Sequence, residues 1–478
     1  MTTADLIALV PLLVQAGSVL VLLAVLCVRR NHLLSAIASA SANATALGFL
    51  PLASARTPHA VGELLIIDQS ALFFMGLILA SAFVVTVLAF DYLERHSVRR
   101  EEFYILLQAA TTGAAALAAT THFAIVFLGL ELLSVSLYGM IAYVFNRPNS
   151  MEAAVKYLIL AAVSSAFLLF GMALIYADSG LMTFAALAEP EARPIFLLGG
   201  AALFVTGVGF KLALVPFHLW TPDIYQGAPV PVAAFLAAVS KGAMVSLLLR
   251  FTFSTPLSDA SSLRSSLAAL AIASMLAGNL LGLRQRNLCR LLAYSSIAHL
   301  GYVLVAIIAG PAMGAEAVTF YVATYLATVL GAFGVISLLS SGRVSCTELD
   351  DYQGLFWRRP GLAVVFTAMM FSLAGIPLTG GFLAKFLVLN AGVSAALWTP
   401  VFILIVSSVV GLVYYLRVVA TMFSTHHLSV SATSATPLVA VSRAGGALVG
   451  LLSLAIVLLG VVPGPALDFI HTLWIQAP

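Results

Sequence analysis

Charge is what this chain has least of. Lys, Arg, Asp and Glu make up 9% of its 478 residues, against roughly 25% in soluble domains. That excludes an ordinary water-soluble fold. Cysteine is as scarce. Cys27, Cys289 and Cys346 form no CxxC pair, which argues against a disulfide framework and a metal site. Enzyme signatures are missing as well. "GVG" at 207–209 lacks the rest of a dinucleotide fingerprint, and there is neither a P-loop nor a GxSxG. With no flavin, haem or iron–sulfur ligation in view, the chain cannot run redox chemistry alone. The net charge of +3 says little about partners, and nothing marks a nucleic-acid ligand.

What is present is apolar sequence. The hydrophobic fraction is 62% and the mean hydropathy +1.09. A membrane helix takes about 20 apolar residues. A membrane β-barrel would show alternating segments of about 10, and the runs here are continuous. The expected fold is therefore an all-α polytopic membrane bundle. Fourteen spans are expected, over 5–28, 32–53, 70–90, 102–120, 122–146, 151–177, 195–220, 229–253, 262–283, 287–309, 313–340, 361–394, 397–424 and 444–463. The first is too long for a cleaved signal and lacks a basic leader, so it reads as a mature helix. The tail "PALDFIHTLWIQAP" reads as a short interfacial helix.

Basic residues orient the bundle. With the N-terminus outside, thirteen arginines fall inside and four outside (Arg56, Arg193, Arg250 and Arg264). An even number of spans then puts both termini outside. The remaining basic residues lie within spans: Lys156, Lys211, Lys241, Lys385 and Arg417. Thus every lysine is expected in the membrane, while nearly every arginine is at a surface. A lysine in hydrocarbon costs about 2.5–3.5 kcal/mol on insertion scales. Arginine stays charged, but a buried lysine readily gives up its proton. The partition points to lysines that change protonation state.

Among the acids, Glu131 in "FLGLELLSVSLYG" alone lies deep in a span. Beside a lysine it could stay ionised and hold that lysine's proton; moved away, it would release it. Bringing a lysine from about 10.4 to about 7 needs roughly 4–5 kcal/mol, which desolvation and loss of a partner can supply. Static helix–helix pairing is the alternative. Four lysines and a glutamate on different spans favour a proton or ion pathway. His299, mid-span near Tyr294, Ser295 and Ser296, and His218 are relay candidates, because neutral imidazole both donates and accepts. His122, at a span edge, and His426 and His427, in a loop, carry little weight.

Two spans are interrupted. "GFKLALVPFHLWTPDIYQGAPVP" holds Lys211, Pro216 and His218, and "FSLAGIPLTGGFLAKF" holds Gly375, Pro377 and Lys385. Gly/Pro-broken spans at matching places in two halves point to a transport site. The spans divide the chain into 1–101 (helices 1–3), 102–253 (4–8), 262–424 (9–13) and 444–478 (helix 14 and tail). The two five-helix blocks, being odd, would be inverted repeats, each with a broken fourth helix. Broken backbone is not tolerated against lipid, so each break is expected to line water.

The two interrupted stretches, with "LCRLLAYSSIAHLGYVLVAII" and "SMEAAVKYLIL", resemble the antiporter-like membrane subunits of bacterial respiratory complex I, the proton-translocating NADH:quinone oxidoreductase. The resemblance covers nearly the whole chain. The text "PFHLWTPDIYQGAPVP" departs from the L and M types and the Mrp antiporters, and Lys385 stands where the M type has glutamate. The resemblance implies proton translocation through Glu131, Lys211, Lys241 and Lys385, with Lys156, His299 and His218 beside them. It implies M- and K-type subunits as neighbours in the inner membrane. It implies FMN, iron–sulfur clusters and quinone in partner subunits and none in this chain. An Mrp-type cation/proton antiporter subunit is the alternative, and a scaffold held by static ion pairs a third reading.

Overall fold

The computed structural model describes residues 2–96, 99–144, 148–184, 194–254, 261–340, 346–424 and 442–475. Arg147, Arg193, Arg343, His426 and His427 lie outside them. The chain is a helical bundle with one small β-hairpin, β1 (His59–Val61) and β2 (Leu65–Ile67), on the end where α4 begins. The helices are α1 (Thr3–Val28), α2 (His32–Gly48), α3 (Leu50–Ser54), α4 (Gln69–His96), α5 (Glu102–Ala119), α6 (Phe123–Ile141), α7 (Pro148–Ser179), α8 (Pro194–Leu212), α9 (Trp220–Gly227), α10 (Val230–Phe235), α11 (Lys241–Phe253), α12 (Ser261–Gly282), α13 (Leu288–Ile308), α14 (Pro311–Leu339), α15 (Leu355–Arg358), α16 (Pro360–Ala374), α17 (Gly380–Ser394), α18 (Trp398–Phe423), α19 (Arg443–Val461) and α20 (Gly464–Ile475).

Twelve of these segments, among the described residues, are long and apolar enough to cross a membrane. Two expected spans differ, each for a physical reason. The span expected at 102–120 is α5, which packs against α1, α4, α6 and α11. It carries Gln108 and Thr111 fully buried, so it needs less apolar surface than a lipid-facing helix. The span expected at 361–394 is broken into α16 and α17, each too short to cross alone.

Burial sorts the helices. Within the most apolar 18-residue stretch of each, every residue of Val230–Phe253 is buried, as are 94% of those in α13 and 83% in α14, against 17% in α19 and 33% in α1. Lys241 and His299 therefore sit on the innermost helices, ringed by helices whose outer faces carry exposed leucine, valine and phenylalanine. Lipid solvates such side chains as well as protein does, so the ring is held by packing and by interhelical polar contacts rather than by exclusion from water. One such contact ties the hairpin end. Arg250 of α11 donates twice to Asp68, just before α4, at 2.9 and 2.8 Å. Burial raises the Asp68 carboxyl, but the guanidinium and its hydrogen bonds outweigh that and hold it below its ordinary 3.8.

The tail, expected as a short interfacial helix, is helical as α20. It lies on α14, where Trp474 donates to Thr319 at 3.0 Å and His471 bonds Glu316 at 2.5 Å.

Candidate functional site

The first interruption begins three residues earlier than its proline suggests. The expected helix ran to 220; α8 stops at Leu212, and Ala213 turns left-handed at φ 60°. The turn closes in a Schellman pattern: Leu214 N–H donates to Gly209 O and Ala213 N–H to Phe210 O, both at 2.9 Å. Pro216 sits in the irregular segment and α9 resumes at Trp220. Two side chains finish the capping. Trp220 Nε1 donates to Phe210 O at 3.0 Å, and Lys241 Nζ to Lys211 O at 3.3 Å. The Lys241 amine thus stands at the negative end of the α8 dipole.

Lys211 itself turns the other way. Its Nζ donates to Ser134 Oγ on α6 at 2.6 Å and lies 5.5 Å from the Tyr157 ring centre. Lys241 Nζ is 5.2 Å from the Trp220 ring centre, and the Tyr157 and Trp220 rings meet at a tilt with centroids 5.1 Å apart. Two buried lysines are therefore spaced by two aromatic rings, each serving one cation. Glu131 does not pair directly with Lys211, contrary to the expectation of an adjacent partner. It is half-buried and accepts from Ser165 Oγ on α7 at 2.6 Å. Ser134, one turn along α6 from Glu131, supplies the direct contact to Lys211.

Lys241 follows a π-helical turn, Leu236–Ser240, inserted between α10 and α11. Nothing in the sequence pattern marks it, because a π-turn differs from an α-turn only by one extra residue. It sets the direction in which Lys241 leaves the helix.

The second interruption repeats the first device with different residues. α16 ends at Ala374 and Gly375 turns left-handed at φ 81°. Ile376 N–H donates to Phe371 O at 2.9 Å and Gly375 N–H to Ser372 O at 3.1 Å. Pro377 follows in the turn before α17. The next two carbonyls, Leu373 O and Ala374 O, each accept from Lys385 Nζ at 2.9 Å, and Ser408 Oγ of α18 takes its third bond at 2.9 Å. A Cβ on Gly375 would lie 2.9 Å from Lys385 Cδ, so glycine here also clears the lysine's stem. In both breaks a Schellman turn and a lysine together satisfy the carbonyls that a helix end leaves bare.

Between the breaks stands His299. Tyr321 Oη bonds its Nδ1 at 2.6 Å and Tyr415 Oη its Nε2 at 3.2 Å. Ser295 Oγ bonds the same Tyr415 hydroxyl. Two cavities of about 10 Å³ each share His299, Tyr321 and Tyr325 in their walls. One reaches Lys241, and the other reaches Thr324, Thr328, Ser372 and Leu373. That volume is about the smallest that holds one water. Leu373 is also an acceptor for Lys385, so the two cavities join Lys241 to the second break through His299. The hydroxyls of Tyr225, Ser296, Thr324 and Tyr325, and both nitrogens of His218, are buried without a sound hydrogen bond among the described residues. Groups of this kind are generally satisfied by water.

Two expected site residues fall elsewhere. Lys156 is not a buried base. It is half-exposed and pairs with Glu152 at 2.7 Å and with Asp223 at 3.0 Å, and Asp223 also binds Arg290 at 2.7 Å. Its position early in α7, beside acids, explains this. Tyr294, about 100° round α13 from Ser295, is only partly buried and joins no hydrogen bond of the line among the described residues. Arg417 caps α12, donating to Leu283 O at 2.9 Å and Gln285 O at 2.6 Å. Sequence reasoning missed Ser134, Ser165, Tyr321, Tyr325, Ser408 and Tyr415. Hydroxyls are too common in apolar helices to stand out alone; spacing from the lysines was the usable signal, and it does not cross between helices. Among the described residues no group of three or more His, Cys, Asp or Glu could hold a metal ion.

Residues 120–411, which contain both breaks and every buried lysine, match the family described as NADH:quinone oxidoreductase/Mrp antiporter, transmembrane. This chain belongs to that family. Among its curated relatives is the NADH-quinone oxidoreductase subunit N of Ectopseudomonas mendocina (strain ymp), 47% identical over 481 residues, covering 98% of this chain and 97% of the relative. A chain of respiratory complex I from Thermus thermophilus, solved with bound aureothin, is 32% identical with a TM-score of 0.83, covering 96% of this chain and 98% of that one. A chain of the Mrp complex from Dietzia sp. DQ12-45-1b shares the fold alone, at 19% identity and a TM-score of 0.80, covering 100% and 98%.

Proposed function

We propose that this chain is the N-type membrane-arm subunit of a proton-pumping NADH:quinone oxidoreductase, and that it moves protons along Glu131, Lys211, Lys241, His299 and Lys385. The observation that carries the reading is the pair of lysine-capped breaks joined by the two cavities at His299. A site built only for cohesion would not place three lysines, each able to lose its proton, along one buried track. Electron transfer belongs to partner subunits, with FMN, iron–sulfur clusters and quinone held there and none held here. The M- and K-type subunits are its expected neighbours, in a bacterial inner membrane with both termini on the periplasmic side. The blocks 102–253 and 262–424 act as inverted repeats, one break each.

Lysine tolerates burial by shedding charge, and each buried lysine here has fixed acceptors that favour the charged form. Transfer then requires those acceptors to move relative to the ammonium. Glu131, held by Ser165, is placed to bias Lys211 without neutralising it. The test is redox-driven proton pumping by the assembled complex in vesicles. Lys211→Ala and Glu131→Ala are expected to cut the proton-to-electron ratio while assembly and NADH oxidation at the peripheral arm persist. A normal ratio in both variants would overturn the reading. The Mrp-type alternative predicts sodium-dependent proton exchange by the chain without NADH.

A further inference from the structure

Asn279 of α12 lies outside the lysine track and is not titratable, yet it is buried among three helices with its amide almost fully used. Its Nδ2 donates to Met275 O at 3.0 Å and to Tyr302 Oη at 2.8 Å, and its Oδ1 accepts from Tyr414 Oη at 3.0 Å. The amide sits in a slot left by Gly411, where a Cβ would lie 2.8 Å from Asn279 Oδ1. The Tyr302 hydroxyl is held by Asn279 at 2.8 Å and by Ser407 at 3.4 Å. Its ring is left facing Lys385, whose Nζ is 5.4 Å from the ring centre. The same ring meets His299 edge-on, with centroids 5.4 Å apart at 66°. Tyr302 is thus an aromatic wall between the central histidine and the terminal lysine, presenting its face to the cation.

We propose that Asn279 is a positioning residue for Lys385: by anchoring the Tyr302 hydroxyl it fixes the ring face against the ammonium and so helps set the pH range over which this lysine stays charged. The inference rests on the reading of Lys385 as a proton-carrying group. The titratable groups placed against Lys385 are His299 and Tyr302 of α13; α14 also carries Tyr321 and Tyr325, which adjoin His299, and Glu316, bonded to His471 at 2.5 Å, and α18 carries Tyr414, Tyr415 and Arg417, bonded to Asn279, His299 and Leu283 O respectively. α16 offers none, and the one charged residue of α19, Arg443, is at its far first position. Neither group placed against Lys385 carries a negative charge near neutral pH, so the ring face and the three acceptors are what favour the cation.

The experiment measures the pH dependence of redox-driven proton pumping in the assembled complex. Asn279→Leu, close in volume but unable to anchor the hydroxyl, is expected to move the alkaline limb about 1 pH unit toward acid, the scale of a desolvated cation–π contact. Tyr302→Leu should give a similar shift, and the two together no more than the larger one. Tyr302→Phe keeps the ring but frees it, so adding Asn279→Leu to it should change nothing further. A wild-type alkaline limb in Asn279→Leu, or fully additive shifts, would overturn the proposal. If Asn279→Leu fails to assemble, Tyr302→Phe decides the matter: its limb must move toward acid, and an unmoved limb overturns the proposal. Full pumping in Lys385→Ala would instead count against the function proposed above.

Discussion

At the scale of single residues, the chain separates two uses of positive charge. Arg417 caps α12 through two carbonyls and Arg250 grips Asp68 through two nitrogens. Both are fixed joints, suited to a group that never deprotonates. Lys241 and Lys385 cap helix ends in the same way but with a group that can let go. Lys385→Arg should therefore keep the cap and lose the function. Assembly is expected to persist with a stability loss of about 1–3 kcal/mol, since the larger guanidinium overpacks the site, while pumping through this chain falls at least tenfold. Vesicle pumping alongside a melting curve checks both halves, and wild-type pumping in this variant would contradict a protonation role. Much of this was legible beforehand. Lysines in an apolar chain announce themselves by type alone. Lys156 misled because hydropathy cannot see that Glu152 and Asp223 stand beside it.

At the scale of elements, the two breaks share a turn geometry that their sequences do not share. Gly375 takes the left-handed position in one and Ala213 in the other. Such a conformation costs a residue with a Cβ roughly 1–2 kcal/mol. Gly375→Ala should thus destabilise by about that much and also push on the Lys385 stem, lowering pumping. Ala213→Gly, where no lysine stem passes, should change stability by less than about 1 kcal/mol and leave pumping near wild type. Thermal unfolding of the two variants side by side separates strain from displacement. The sequence showed that two spans were broken, through Pro216 and Pro377. It placed the first break late because a proline marks where a helix cannot be, not where the preceding helix stops. α5 shows the opposite limit of the same reasoning: its polar residues, buried by four neighbours, dilute the signal that marks a lipid-facing span.

At the scale of the whole molecule, the buried centre is pinned from the outside by a few polar ties. The Asp68–Arg250 pair joins the loop before α4 to the innermost helix. Asp68→Asn would leave a buried guanidinium without its charge partner and should cost about 3–5 kcal/mol. The sign with pH follows from the depressed carboxyl: the tie contributes fully above pH 3.8 and is lost as pH falls below it. Stability from this tie should be flat between about pH 5 and 8 and fall only in stronger acid, a limb that Asp68→Asn should lack. Calorimetry of the purified complex across that range decides it. The helical bundle followed from hydropathy, but which helices lie innermost and the contacts between distant helices did not. The π-turn at Leu236–Ser240 is the sharpest case. Remove one residue there, so that the turn becomes regular, and everything from Lys241 to Phe253 rotates by roughly 100° about its own axis. The hydropathy of the span would hardly change, and the chain would still thread the bilayer. Its lysine would then leave the helix in another direction, away from Trp220 and the Lys211 carbonyl: the fault would be one of phase, invisible to composition.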